Sequence, residues 1–416
     1  MLSKEENDLL TRTGASTPCG ELMRRYWQPV ALRDELPVGG APVPVRLLGE
    51  ELVLFRDEDG RPCLLGIHCS HRGADLSYGR LEDGGLRCIY HGWLYDVYGH
   101  CLEQPGEPAN STFHQRIRHP AYPCREAGDL ILTYMGPGDP PLLPEYEFLT
   151  VPGQYRSATK ALVECNYLQA NEGNIDPVHL SFLHRRISSD DDLHVKDVTP
   201  IIDVEETDFG ARVYAIRRVA EDANFVKVRS FILPNAAAAA GDGGGGYQVN
   251  WHVPIDDTTH FRYMIKFSRT DALGATEQRH HRSGIADDFR QMRTRANRYL
   301  QDRQEMRTTT FTGMGLDFLP HDTAATEGEG PIQDRTAEHL GYTDRAIVAV
   351  RRILLGAIRD VQEGRDPPYV LRGSNAERVP DIEVTQGLVP SSETWRGFWK
   401  NDFAAVGTAA GVTARS

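Results

Sequence analysis

The pairing of Cys69-Ser-His71 with Cys88-Ile-Tyr-His91 constrains this chain more than any other feature. It reads C-x-H-x16-C-x2-H. Two thiolates and two imidazoles carried on paired turns can close around a compact metal centre. Zinc accepts that donor set. A two-iron cluster accepts it too, with histidines replacing two cysteines on one iron. Gly73 and Gly92 follow the two pairs. Tight loops of this kind let backbone N–H groups point at inorganic sulfide, which raises a cluster's potential. The donor set alone leaves zinc and iron–sulfur both open.

A centre of this kind needs one small domain, whereas the chain has 416 residues. At roughly 100–200 residues per domain, two or three domains are expected. Short strands and Gly/Pro turns run from Val43 to about Leu132, and the run Gly136–Pro141 marks a boundary. Beyond it the texture changes. Leu162–His184 has helical spacing interrupted near Gly173 and Pro177, and strands are expected at 211–217, 225–233 and 247–267. The alanine/glycine insertion 236–246 reads as a flexible loop between strands. Helices are expected at Ile285–Gln304 and Thr343–Gln362. The second domain is thus α+β, an antiparallel sheet flanked by helices.

The net charge of −13 disfavours nucleic acid, whose phosphates demand a basic surface. Seven cysteines form no disulfide framework, and the start of the chain lacks a secretory core. No membrane span is expected. A cytoplasmic location follows as the expectation, where thiols stay reduced.

A second constellation lies at Asn171–His184. Asp176, His179 and His184 read D-x2-H-x4-H. The gap between the histidines is not helical, so local unwinding must bring both rings to one metal. Two histidines and a carboxylate on one face of an iron form the facial triad of non-haem Fe(II) oxygenases, with positions left open.

The text CSHRGADLSYG…LRCIYHGWLYDVYGHC resembles the Rieske [2Fe–2S] domain, and NEGNIDPVHLSFLH resembles the iron motif of Rieske oxygenase large subunits. With YWQPVA near Trp27 and the closing GPIQDRTAEHLG block, the likeness covers almost the whole chain and points to the phthalate-dioxygenase-like branch. The resemblance implies an all-β Rieske domain at 41–150 and a catalytic domain at 151–416. Residues 1–40 would pack on the catalytic domain. It implies Cys69, His71, Cys88 and His91 as cluster ligands and His179 and His184 as ligands of a mononuclear iron. Asp176 would be the bridge that carries electrons between subunits, partnered by His91. The third iron ligand would be Asp322, which stands five residues before Glu327, with Asp317 and Asp334 as runners-up.

The implied function is a terminal oxygenase that hydroxylates or oxidatively dealkylates an aromatic compound, an aryl carboxylate or aryl ether, using O2. Its electrons would come from NAD(P)H through a separate reductase, with or without a ferredoxin. A homotrimer is implied. Arg185 and Arg186 follow the iron motif and could grip a substrate carboxylate. The competing classes are a Rieske electron carrier without oxygenase activity and a zinc-stabilised binding module.

Overall fold

A computed structural model describes residues 1–187, 192–240, 245–274, 281–373, 380, 382 and 384–398. Two helices open the chain, Lys4–Thr11 and Pro18–Arg24. Ser3 caps the first by a reciprocal bond with Glu6, and Thr17 caps the second ahead of Pro18. Strand β1 (Gln28–Leu32) follows. Then come β2 (Val43–Leu47), β3 (Glu50–Arg56) and β4 (Pro62–Gly66). Four three-residue strands follow, β5 (Arg80–Glu82), β6 (Gly85–Arg87), β7 (Leu94–Asp96) and β8 (Cys101–Glu103). The region closes with β9 (Ala121–Tyr122), β10 (Cys124–Ala127) and β11 (Leu130–Thr133).

These strands form sheets in the orders β2-β3-β4-β9, β5-β6-β7-β8 and β1-β11-β10. Val53, Phe55, Leu65, Leu76, Leu86, Trp93 and Tyr95 fill a core beneath the metal-binding turns. β1 pairs with β11, so this third sheet crosses the boundary expected at residue 40. Residues 1–13 bond instead to the second half of the chain. Asn7 reaches Gln333 and Arg335, Asn166 donates to the Thr11 carbonyl, and Tyr167 donates to that of Leu10.

The second half is built on one antiparallel sheet of β12 (Arg156–Val163), β13 (Ile201–Thr207), β14 (Gly210–Arg218), β15 (Ala223–Ile232), β16 (Ala236–Ala240), β17 (Tyr247–Pro254) and β18 (His260–Phe267). Its order is β12-β18-β17-β16-β15-β14-β13, and β19 (Thr385–Pro390) adds to β15. The long helix Arg345–Gln362 buries Val350, Leu354 and Ile358 at helical spacing. Each such side chain contributes about 1.5–3 kcal/mol. Among the described residues no helix is long and apolar enough to cross a membrane.

Three expectations need correction. The alanine run is not a loop. Ala236–Ala240 is a central strand, and residues 241–244 of the insertion lie outside the described residues. Alanine is a poor strand former, but here tertiary context decides. The helix Tyr167–Ile175 packs across β16 and β17, and small side chains let it approach. Ile285–Gln304 is not a helix either. Phe289 and Gln291 bond along β12, and Arg298, Tyr299 and Leu300 all have positive φ, which no α-helix tolerates. Leu162–His184 is divided between the end of β12, the helix Tyr167–Ile175 and a 3-10 turn at His179–Ser181. The helix runs through Gly173 and stops before Pro177, whose ring disfavours helical backbone at the residue before it.

Because Ala238 is 1 % exposed within this layer, Ala238→Leu is expected to cost about 1–3 kcal/mol by overpacking. Urea unfolding reads this as a lower midpoint at unchanged slope. An unshifted midpoint would mean that the helix does not rest on this strand.

Candidate metal centres

Cys69 and His71 lie on the loop after β4, and Cys88 and His91 on the turn between β6 and β7. Both turns close by the same bond, Gly73 N–H to the Cys69 carbonyl at 2.8 Å and Gly92 N–H to the Cys88 carbonyl at 3.0 Å. Gly73 and Gly92 have φ near +73° and +75°, the left-handed backbone that these tight turns require. His71 and His91 meet edge to face with centroids 4.4 Å apart, and Trp93 stacks on His71 at 4.5 Å. Their Nδ1 atoms are buried and have no hydrogen-bond partner. Unpaired buried nitrogens of this kind demand a ligand.

The Tyr95 hydroxyl lies 3.2 Å from Cys69 Sγ. A hydrogen bond to a ligating sulfur tunes the centre from its second layer. His68, off the motif, bonds Gly73 and Glu51 instead. Four zinc ligands at 2.0–2.3 Å would all lie within about 4 Å of one another. Among the described residues, donor atoms close to that degree at one place only, and it is not here. The larger two-iron centre fits these four residues better than a single ion.

That one place is His179, His184 and Asp322, whose donor atoms lie within 4.8 Å of one another. Asp176 ends the Tyr167–Ile175 helix with extended backbone, so it does not share a helical face with His179. Its carboxylate accepts from the Val178 and His179 N–H groups and lies 3.6 Å from His179 Nδ1. Burial works against its charge, but the His179 contacts, the Val178 N–H and Arg229 together hold its pKa below the usual carboxylate range. The turn at His179–Ser181 then brings the His179 and His184 rings to 5.1 Å. The expected unwinding is thus supplied by Pro177 and this 3-10 turn.

Asp322 sits inside the helix Phe318–Gly328 and points at His184, with Oδ1 2.9 Å from His184 Nε2. Asp317 caps that helix and Asp334 bonds Thr336, so neither runner-up reaches the histidines. Glu327 is turned elsewhere, accepting from Glu164 N–H and the Tyr299 hydroxyl.

The second nitrogen of His184 meets His321. His321 Nε2 lies 3.0 Å from the Gly315 carbonyl, which only accepts, so that nitrogen carries the proton. Its Nδ1 therefore accepts, at 3.2 Å, from His184 Nδ1–H. His184 Nε2 faces the Asp322 carboxylate oxygen directly. Burial opposes the charge of Asp322, but His184, Arg262 and His179 outweigh it and hold its carboxyl far below the usual range. In the neutral form that binds a metal, His184 Nε2 would offer its lone pair beside that oxygen. Donors about 2.1 Å from one metal and at right angles are about 3 Å apart. The residues present therefore fit a single metal ion. His321 was not legible as a partner, although it adjoins Asp322 in sequence.

A cavity of about 340 Å³ opens on these residues and is lined also by Arg186, Lys227, Arg229 and Lys266. Arg186 reaches it, whereas Arg185 is not among its lining residues. A second cavity of about 370 Å³ shares Asn174, His179, Arg262 and Asp322 with the first and carries Asp176 on its wall.

Residues 26–120 match the Rieske [2Fe-2S] domain and residues 133–413 the LigXa C-terminal domain like family. The phthalate 4,5-dioxygenase oxygenase subunit of Pseudomonas putida is 37 % identical, over 96 % of this chain and 95 % of that protein. The 5,5'-dehydrodivanillate O-demethylase oxygenase subunit of Sphingobium sp. is 34 % identical, over 89 % of this chain and 84 % of that one. Among solved structures, the terminal oxygenase of carbazole 1,9a-dioxygenase from Novosphingobium sp. superposes with a TM-score of 0.60 at 21 % identity, covering 86 % of this chain and 96 % of that one. That likeness bears on the fold alone. The chain belongs to the Rieske oxygenases, as a terminal oxygenase subunit with a [2Fe–2S] domain and a mononuclear iron domain.

Proposed function

We propose that this oxygenase hydroxylates or oxidatively dealkylates an aryl carboxylate, and that one buried arginine anchors the acid. Arg229 carries this reading. It is 4 % exposed and lines the cavity beside His179, His184 and Asp322. Among the described residues its single hydrogen bond runs from Nη1 to the Asp176 carbonyl at 3.1 Å, and its buried Nε has no partner there. Among the described residues no carboxylate lies within 4.0 Å of it. Burial lowers its pKa to about 10, so it remains charged at neutral pH. An unpaired buried cation is costly, and an anionic ligand offsets that cost. Arg186 on the same cavity adds positive potential. The phthalate relative is named for such an acid, and the dehydrodivanillate relative for O-demethylation.

Cys69, His71, Cys88 and His91 would hold the cluster, and His179, His184 and Asp322 the iron. When bound, the cluster supplies single electrons and the iron supplies O2 activation. The chain's residues do the rest. His321 keeps the His184 proton on Nδ1, the cations orient the acid, and Asp176 fixes the His179 ring.

Asp176 is also placed as an electron bridge in a ring of copies. Among the described residues, its carboxylate bonds only to Val178 and His179 within the chain, and its side chain remains 24 % exposed. The rim of the cluster turn is open, with Ile89 at 60 % and Tyr90 at 57 %. This supports a homotrimer in which the His91 edge of one copy meets Asp176 of the next. It also supports docking of a separate reductase or ferredoxin near that rim. Carbazole dioxygenase oxygenases have been solved in complex with a ferredoxin. Seven free cysteines suit the reducing cytoplasm.

Three outcomes follow. His179→Ala should lower iron from about three to about two per chain while the Rieske spectrum persists. Retention of the third iron would refute the assignment. Asp176→Asn should keep both metals and lose turnover by about 100-fold or more, because the amide NH2 cannot accept. Normal turnover would refute the bridge. Arg229→Met should raise KM about 10- to 100-fold for a phthalate-type acid, the worth of a charged hydrogen bond, and leave its neutral amide little changed. Equal effects on acid and amide would refute the anchor.

A further inference from the structure

The two oxygens of Asp322 are held from opposite directions. Oδ1 faces His184 Nε2 at 2.9 Å, and Oδ2 accepts from Arg262 Nη1 at 3.1 Å. We propose that Arg262 is a positioning residue that reserves Oδ2 and leaves the metal a single oxygen of Asp322. We further propose that a largely buried hydrogen-bond relay fixes its orientation. This rests on the reading of His179, His184 and Asp322 as the iron site. A carboxylate bound through both oxygens would occupy a position that O2 or substrate needs. A donor on one oxygen opposes that.

A long arginine does not hold one pose unaided, since several rotatable bonds must be frozen. Arg262 is 7 % exposed, and its Nε donates to Asn250 Oδ1 at 3.2 Å. Asn250 Nδ2 donates to Asn174 Oδ1 at 2.5 Å. Asn174 Nδ2 donates to His252 Nε2 at 2.9 Å. His252 Nδ1 lies 3.1 Å from His260 Nε2, and His260 Nδ1 lies 2.8 Å from the Cys165 carbonyl.

The direction of every link follows from that carbonyl. It only accepts, so His260 Nδ1 carries the proton and His260 Nε2 accepts. His252 Nδ1 must then donate, and its Nε2 accepts. Asn174 must therefore turn its NH2 to His252 and its oxygen to Asn250. Asn250 must turn its NH2 to Asn174 and its oxygen to Arg262. Flipping any one amide would set donor against donor. His252 and His260 are fully buried, and burial keeps both rings neutral, that of His260 down to about 4.

The relay also passes through the helix that delivers the other site residues. Asn174 lies on Tyr167–Ile175, two residues before Asp176. One largely buried path thus sets the Asp322 carboxylate and ties it to the helix end from which Asp176 and His179 project. A network that served packing alone would not need to end on Oδ2.

The test uses the full-length protein with its cluster intact and the mononuclear iron removed. Anaerobic Fe2+ titration gives the affinity, and the EPR signal of the nitric oxide adduct reports the ligand field. Arg262→Met should weaken Fe2+ binding about 10- to 100-fold and shift that signal. Arg262→Lys keeps the charge but cannot reach Asn250 and Asp322 together, so it should recover affinity without restoring the signal. Asn174→Ala, which does not touch Asp322, should shift the signal in the same direction. It also keeps the test open if Arg262→Met does not fold. Wild-type affinity and signal in Arg262→Met would overturn the proposal, as would a wild-type signal in Asn174→Ala. Failure of the parent reading looks different. There, the wild-type protein itself would take up no Fe2+ that His179→Ala abolishes.

Discussion

The Tyr167–Ile175 helix must lie close against the sheet, because Asp176, His179 and His184 all follow from its end. Two features hold it there. The alanine strand Ala236–Ala240 lets the helix backbone approach. On the far side, Glu172 accepts from Arg335 Nη2 at 2.9 Å and Arg351 Nε at 2.6 Å. All three are at most 5 % exposed. A buried cluster of this kind is poor evidence of net stability, but it fixes register, since breaking it strands a charge. The same arginines bond Asn7 and Glu338, so the N-terminal helix and the long Arg345–Gln362 helix are pinned to the same point.

From that anchored helix, Pro177 does the rest. A continuing helix would separate His179 from His184 by more than one turn and point the rings apart. Termination at Ile175 and the 3-10 turn beyond it fold the second histidine back. Asp322 then needs no loop flexibility. It arrives on a regular helix whose end is held by Glu327, Tyr299 and Glu164. The Asp–x4–Glu spacing thus has a physical reading in which the aspartate faces the site and the glutamate fastens the helix.

How much was legible follows from how local each feature is. Cys69, His71, Cys88 and His91 sit in two turns close in sequence, so spacing alone carries them. His179 and His184 are likewise local, and Asp322 was reached through the family pattern. The supporting residues were not legible. Arg229 and Arg262 lie in strands β15 and β18, where an isolated arginine reads as a solvent-facing residue. His252 and His260 carry no motif, and only the fold shows that they bond each other. The alanine run was misread because composition argues for a loop, whereas the helix above it demands small side chains. In 285–304 the helical spacing of Ile285, Phe289 and Met292 was genuine, but docking along β12 and three left-handed residues override it.

The site separates charge from neutrality, and this separation explains its order of assembly. Behind Asp322, His321, His252 and His260 are neutral rings whose protons are assigned by backbone carbonyls. They impose direction without adding charge. In the adjoining cavity the opposite holds, because among the described residues Arg186, Lys227, Arg229, Arg262 and Lys266 line it with the two carboxylates Asp322 and Asp317. Arg262 is already committed to Asp322, whereas among the described residues Arg229 has no carboxylate within 4.0 Å. On the proposed reading, an aryl acid entering this cavity is drawn by long-range potential and then fixed by the short bonds of a guanidinium. Arg229 is also bonded to the Asp176 carbonyl. On the proposed reading, occupancy of the acid subsite therefore bears mechanically on Asp176, because both share one side chain.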